Sequence, residues 1–136
     1  MAVVKASAYG SGQYEIARYL EHRGIDYLAV AYTDEGVLLR QKGIQKPILV
    51  MNTGNADFDE LLSNRLEPEI FSIEQLKRFV KETEQYKQCI IHLKLETGMN
   101  RLGFQVKDVD ELISIISSHS YIKVGSIFSH LSGSSS

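Results

Sequence analysis

Short strand-like runs alternate along this chain with longer stretches of helical periodicity. The runs fall at residues 2–4, 27–31 (YLAVA), 48–51 behind Pro47, 69–71 behind Pro68, 89–95 and 121–128. At 27–31 the apolarity is continuous rather than alternating, the pattern of a strand buried on both faces. Between the runs, Tyr14, Ile16, Ala17 and Leu20 mark a first helix, with Gly24 just past its end. Thr33 and Asp34 open a second helix, with Val37 and Leu38 inward and Gly43 at its end. Asp57 with Glu60 and Ser72 with Gln75 form capping-box patterns ahead of Phe58, Leu61 and Leu62 and of Leu76, Phe79 and Val80. Asp108 and Glu111 start a fifth helix, in which Val109, Leu112, Ile113 and Ile116 keep the i, i+3, i+4, i+7 rule.

Six strand signals separated by five helices predict parallel strands joined by right-handed crossovers, which means a barrel or a doubly wound sheet. No GxGxxG follows any strand, and this weakens the dinucleotide-fold reading. Residues with chemical potential instead follow strands one, five and six, as expected for the carboxyl-terminal face of a βα barrel. The predicted class is α/β, an incomplete TIM-type (β/α)8 barrel of about six parallel strands alternating with helices.

Composition narrows the setting. The chain has 136 residues, 43% of them hydrophobic, enough for a globular core but only about half of a barrel of roughly 250 residues. A formal charge of −2 gives no basis for a nucleic-acid partner or an anionic membrane surface. There is no long apolar run and no signal-peptide pattern, so no membrane partner is expected and the expected location is the cytoplasm. The single cysteine, Cys89, excludes an intrachain disulfide and reads as a core thiol. No His/Cys/Asp/Glu spacing suggests a metal site.

The first candidate chemistry is at residues 2–12, AVVKASAYGSG. Lys5 ends a strand, where burial favours a neutral amine able to act as nucleophile or Schiff-base former. Ala6, Ser7 and Ala8 leave room for a ligand, and Gly10 and Gly12 let the backbone approach an anion at the following helix start. Tyr9 adds a phenolic donor for the same anion. A snorkelling lysine beside an ordinary glycine turn is the competing reading.

In the fifth strand, alternation puts His92, Lys94 and Glu96 on one side and Ile91, Leu93 and Leu95 on the other. His92 and Glu96 read as solvated or paired with each other. Arg101, in the segment that follows, presents a guanidinium suited to a phenolate or carboxylate. His130 ends the sixth strand as a lone histidine, and His22 and His119, near helix ends, are expected to be solvated.

Three segments in order, AVVKASAYGSG at 2–12, TGMNRLGF at 97–104 and SHL at 129–131, resemble the alanine racemases, fold-type III pyridoxal-phosphate enzymes whose usual opening motif reads AVVKANAYGHG. Ser7 and Ser11 depart from it. The resemblance implies pyridoxal 5'-phosphate bound to Lys5 and interconversion of L- and D-alanine for peptidoglycan synthesis. It implies Arg101 on the cofactor's phenolic oxygen and the substrate carboxylate, and His130 against the pyridine ring. Lys94 matches the lysine that some members carry as a carbamate, which beside Arg101 accepts hydrogen bonds where an ammonium would repel.

By the same resemblance, the lysine freed from the cofactor is expected to serve one face of the substrate. The other face is expected to be served by a tyrosine from the carboxyl-terminal domain of a second subunit, in a homodimer. Residues 1–131 are then expected to form part of the barrel and 132–136 a Gly/Ser tail, with the remaining barrel, the carboxyl-terminal domain and a leading helix expected to be absent. Such a fragment is expected to be inactive alone and to expose apolar faces and strand edges. The serines also resemble racemase domains fused to a Mur ligase. Rival readings are a fold-type III decarboxylase or aldolase, a non-catalytic barrel of the pyridoxal-phosphate homeostasis type, and a purely structural domain.

Overall fold

The structure is a computed structural model that describes residues 2–4, 12–96 and 103–129. Six strands are described, β1 (Ala2–Val3), β2 (Leu28–Val30), β3 (Ile48–Val50), β4 (Leu66–Ile70), β5 (Cys89–Leu95) and β6 (Ile122–Ser129). They alternate with five helices, α1 (Gln13–His22), α2 (Thr33–Gln41), α3 (Phe58–Ser63), α4 (Ile73–Thr83) and α5 (Val109–Ser117). Every strand pairing is parallel, and neighbours follow chain order. Parallel neighbours require a crossover between them, and the helices supply it. This is the βα-barrel rhythm that the sequence predicts. The chain divides into two compact units, residues 1–68 and 69–136.

In the first unit β2 and β3 are buried at every position, from Leu28 to Val30 and from Ile48 to Val50, so apolarity is continuous rather than alternating. Gly24 (φ 81°) and Gly43 (φ 98°) take the left-handed position that ends α1 and α2. Behind them the N–H groups of Ile25 and Ile44 donate to the carbonyls of Leu20 and Leu39, both at 3.1 Å, closing each helix in a Schellman turn. After α3 the same position falls to Arg65 (φ 59°), an uncommon conformation for a side-chain-bearing residue. Its carbonyl accepts from Arg40 at 2.9 Å.

The sequence reading put Val37 and Leu38 on the inner face of α2. Gly36 and Leu39 are the buried positions, and Leu38 is 46% exposed. The stripe turns because Gly36 lies against Leu66: a Cβ there would stand 2.9 Å from Leu66 Cδ1, so the close approach is made at the residue without a side chain.

In the second unit Ser72 Oγ accepts from the N–H of Gln75 at 3.1 Å, while Gln75 Oε1 accepts from Phe71 N at 2.8 Å. The return bond thus lands one residue before the cap. β4 begins at Leu66 and contains Pro68, where the sequence reading began a strand after that proline. Proline has no N–H for a ladder, but Leu66 is buried and pairs with Ile48, and that burial extends the strand backward. Asp108 does not cap α5 with its side chain; its Oδ2 accepts from Gln105 N at 2.9 Å and closes a 3₁₀ turn over Val106–Asp108. Of the α5 stripe only Leu112 is buried, and Ile113 is exposed.

His119 is not simply solvated. It is half-buried, with Nδ1 in a 2.7 Å hydrogen bond to the Ile115 carbonyl. Cys89 is the core thiol expected: it is buried, burial pushes its pKa up to about 11, and a hydrogen bond with Thr83 acts in the opposite direction.

Candidate active site

The carboxyl ends of parallel strands are where a βα fold places variable chemistry. At the end of β1, Val4 is buried, its N–H donates to Ala29 O at 2.7 Å, and its carbonyl accepts from Gln13 Nε2 at 2.6 Å. Gln13, buried in the first turn of α1, also donates to Glu35 Oε2 at 3.3 Å. The other oxygen of Glu35 accepts from the N–H groups of Ala31 (3.0 Å) and Tyr32 (2.8 Å). A carboxylate in the first turn of a helix also complements the positive end of its dipole. The ends of β1 and β2 are therefore tied together through the first turns of the helices that follow them. Lys5 comes next in the chain after Val4; Lys5 and Tyr9 lie outside the described residues.

In the second unit the polar side chains of β5 are organised, and the solvated reading of His92 is overturned. His92 is fully buried. Its Nδ1 lies 2.7 Å from Ser126 Oγ on β6. A register shift between Ile91 and His92 brings the ring over Gly125, where a Cβ would stand 2.7 Å from His92 Cε1. On the other side His92 pairs in register with Glu69 of β4. Burial of an imidazole is tolerable because its polar atoms find partners.

Glu69 is 5% exposed, and its Oε1 lies 4.0 Å from Lys94 Nζ. Its pKa is pushed up to about 7, chiefly by burial, with Lys94 and then His92 acting in the opposite direction. Lys94 is half-buried on the same face of β5 as His92. Glu69, His92 and Ser126 thus form a polar row across three strands, with Lys94 beyond it towards the carboxyl end of β5.

The segment after β5 is closed at its base. Phe104 N–H donates to Lys94 O and Glu96 N–H donates to Phe104 O, both at 2.8 Å. Gly103 (φ 152°) sits so close to this base that a Cβ would meet Glu96 N at 2.7 Å. Residues 97–102, with Arg101 among them, span the interval between these anchors and lie outside the described residues, as does His130 after β6. Among the described residues no group of three or more His, Cys, Asp and Glu could hold a metal ion, and no helix is long and apolar enough to cross a membrane.

Of the proposed site residues, only Lys94 has a described side chain. Sequence reasoning missed Gln13, Glu35, Glu69 and Ser126. The signal available for Glu69 was a carboxylate inside a strand, a rare placement at a buried position unless the group is paired.

Comparison with known proteins agrees with this architecture. The family model described as "Alanine racemase, N-terminal domain" matches residues 1–136. The chain is 36% identical over 132 residues to an alanine racemase of Halalkalibacterium halodurans, covering 96% of this chain and 34% of that protein. It is 41% identical over 132 residues to an amino-acid racemase of Enterococcus faecalis, covering 96% of this chain and 18% of that protein. A solved alanine racemase structure from Clostridium difficile 630 superposes with a TM-score of 0.85 at 36% identity, covering 96% of this chain and 35% of that one. The chain thus spans about a third or less of the length of these relatives.

Proposed function

The chain belongs to the family of the alanine racemase N-terminal domain, and from that premise we propose that the protein interconverts L- and D-alanine, with pyridoxal 5'-phosphate held through Lys5. The observation that carries this reading is the family match over residues 1–136, which includes Lys5, next in the chain after Val4. The described residues fit such a group. Val4 is fixed at both backbone groups directly before Lys5, and Phe104, which follows the segment containing Arg101 in the chain, is hydrogen-bonded to the backbone of Lys94 and Glu96. When bound, the cofactor acidifies the α-hydrogen of an amino acid by delocalising the charge left behind.

The protein's own residues bind, orient and move protons. Lys5 would hold the cofactor and, with its amine free, would exchange a proton with the substrate α-carbon on one face. Tyr9 donates to the phosphate. Arg101 holds the phenolic oxygen and the substrate carboxylate in fixed geometry. His130 packs against the pyridine ring and orients it. Lys94, as a carbamate, accepts from the Arg101 guanidinium and holds its direction. The opposite proton comes from a residue of a second subunit in a homodimer. A cytoplasmic supply of D-alanine for peptidoglycan is the role proposed for the whole protein.

Borohydride reduction of the full-length protein with added pyridoxal phosphate, followed by peptide mapping, tests the reading together with racemisation of alanine followed by circular dichroism. Label confined to Lys5 and loss of optical activity are expected. Label spread over surface lysines overturns the role of Lys5, and activity on amino acids other than alanine overturns the substrate.

A further inference from the structure

The Glu69 carboxyl group, almost wholly removed from water, lies 4.0 Å from the half-buried amine of Lys94. The charged and titratable groups described around it are Lys94 and His92, both on β5. His92 is already engaged with Ser126, so Lys94 is the partner whose charge can change without dismantling the row.

We propose that Glu69 takes up one of the two protons that Lys94 releases when its amine is carbamylated by dissolved carbon dioxide. This rests on the reading above that Lys94 carries a carbamate. The ammonium first loses one proton. The Nζ lone pair then attacks the carbon of carbon dioxide, a C–N bond forms, and one C=O electron pair moves onto oxygen. The nitrogen next sheds a second proton and keeps its last. Ammonium plus carbon dioxide thus gives carbamate plus two protons.

With Glu69 ionised at the start, one of those protons goes to its carboxylate and the other to solvent. The product pair is a carbamate beside a neutral carboxylic acid, not two anions at close range in a poorly solvated place. The neutral acid then has an O–H to donate to the carbamate, a charge-assisted hydrogen bond. Burial has already brought Glu69 close to neutral pH, to about 7, so the uptake needs little further displacement.

Proton linkage makes the proposal measurable without any assay of turnover. Carbon-13 NMR of the full chain under carbon-13-labelled carbon dioxide at fixed pressure reads the carbamate carbon, assigned to Lys94 by its loss in Lys94→Arg. At pH values below the Glu69 transition both released protons reach solvent, and the ratio of modified to unmodified Lys94 rises about a hundredfold per pH unit. Above it Glu69 retains one, and the rise slackens to about tenfold per unit. In Glu69→Gln the steeper dependence, about a hundredfold per unit, holds on both sides.

The break in the wild-type curve is itself the test, so the result stands even if Glu69→Gln does not fold. A wild-type curve with no break, or a Glu69→Gln curve with the same break, overturns the role of Glu69 while leaving the carbamate in place. No carbamate carbon on Lys94 in the wild type overturns the carbamate reading and this proposal with it.

Discussion

The side-chain amide of Gln13 donates to the carbonyl of Val4 at 2.6 Å, which fixes the last described backbone group of β1 from the first turn of α1. The Gln13 amide is shared with Glu35, which in turn takes the N–H groups of Ala31 and Tyr32. Five groups from two strand ends and two helix starts are therefore joined in one hydrogen-bond chain.

Replacing Gln13 with Leu leaves the Val4 carbonyl and one Glu35 oxygen without this donor in a buried place. The expected cost is about 1–3 kcal/mol of stability, read by urea denaturation. Gln13→Leu is also expected to lower the selectivity of borohydride trapping for Lys5, because the strand end preceding it is released. Unchanged selectivity with the stability loss present would confine Gln13 to a packing role.

Arg40 makes the larger clamp. Its guanidinium donates to the carbonyls of Asn64 (3.1 Å), Ile44 (2.8 Å), Lys46 (2.8 Å) and Arg65 (2.9 Å). Burial and the nearby Arg65 lower its pKa, in that order, yet a guanidinium stays charged throughout the working range. An ammonium has only three donors and no planar fork. Arg40→Lys is expected to cost about 2–3 kcal/mol, and Arg40→Met at least as much. A loss below about 0.5 kcal/mol, within the range of an ordinary surface change, would mean that water replaces the clamp.

The strands and helices were legible because they rest on local patterns. Apolar runs in β2, β3 and β5, glycines after α1 and α2, and the caps Asp57 and Ser72 each fix an element from a few neighbouring residues. What was not legible depends on partners distant in sequence. The inward face of α2 is chosen by Leu66 against Gly36, and the burial of His92 by Ser126 and Gly125, more than thirty positions away. Glu69 looked like an ordinary strand position until Lys94 stood beside it. Lys5, Tyr9 and Arg101 stood out by residue type and position, His130 only through motif resemblance, and the roles of all four stand as proposals.

Gly125→Ala tests the packing of His92. The added methyl would stand 2.7 Å from His92 Cε1 and 2.8 Å from Ile90 Cγ2, inside van der Waals contact, and His92 is fully buried with its Nδ1 engaged. Overpacking of this kind costs about 1–3 kcal/mol. In a His92→Ala background the ring is gone, and the same substitution is expected to cost less than half as much. Equal costs in the two backgrounds would show that the ring yields freely.

The raised pKa of Glu69 predicts how stability changes with pH. In the unfolded chain the carboxyl ionises near its ordinary 4.5, whereas in the folded protein it ionises at about 7. Between these values the unfolded state has already lost the proton that the folded state retains, so rising pH favours unfolding. The contribution is complete in favour of the fold below the unfolded pKa, declines through this window and is exhausted above the folded one. Lys94 moderates the loss because an ionised Glu69 gains its ammonium as a partner. Glu69→Gln keeps the shape and removes the titration. The stability of wild type relative to Glu69→Gln is therefore expected to fall by about 2 kcal/mol between pH 4.5 and pH 7, measured by urea denaturation at matched ionic strength. A wild type that gains stability relative to the variant over that interval would show that the ion pair with Lys94 outweighs burial and that Glu69 is held as a carboxylate.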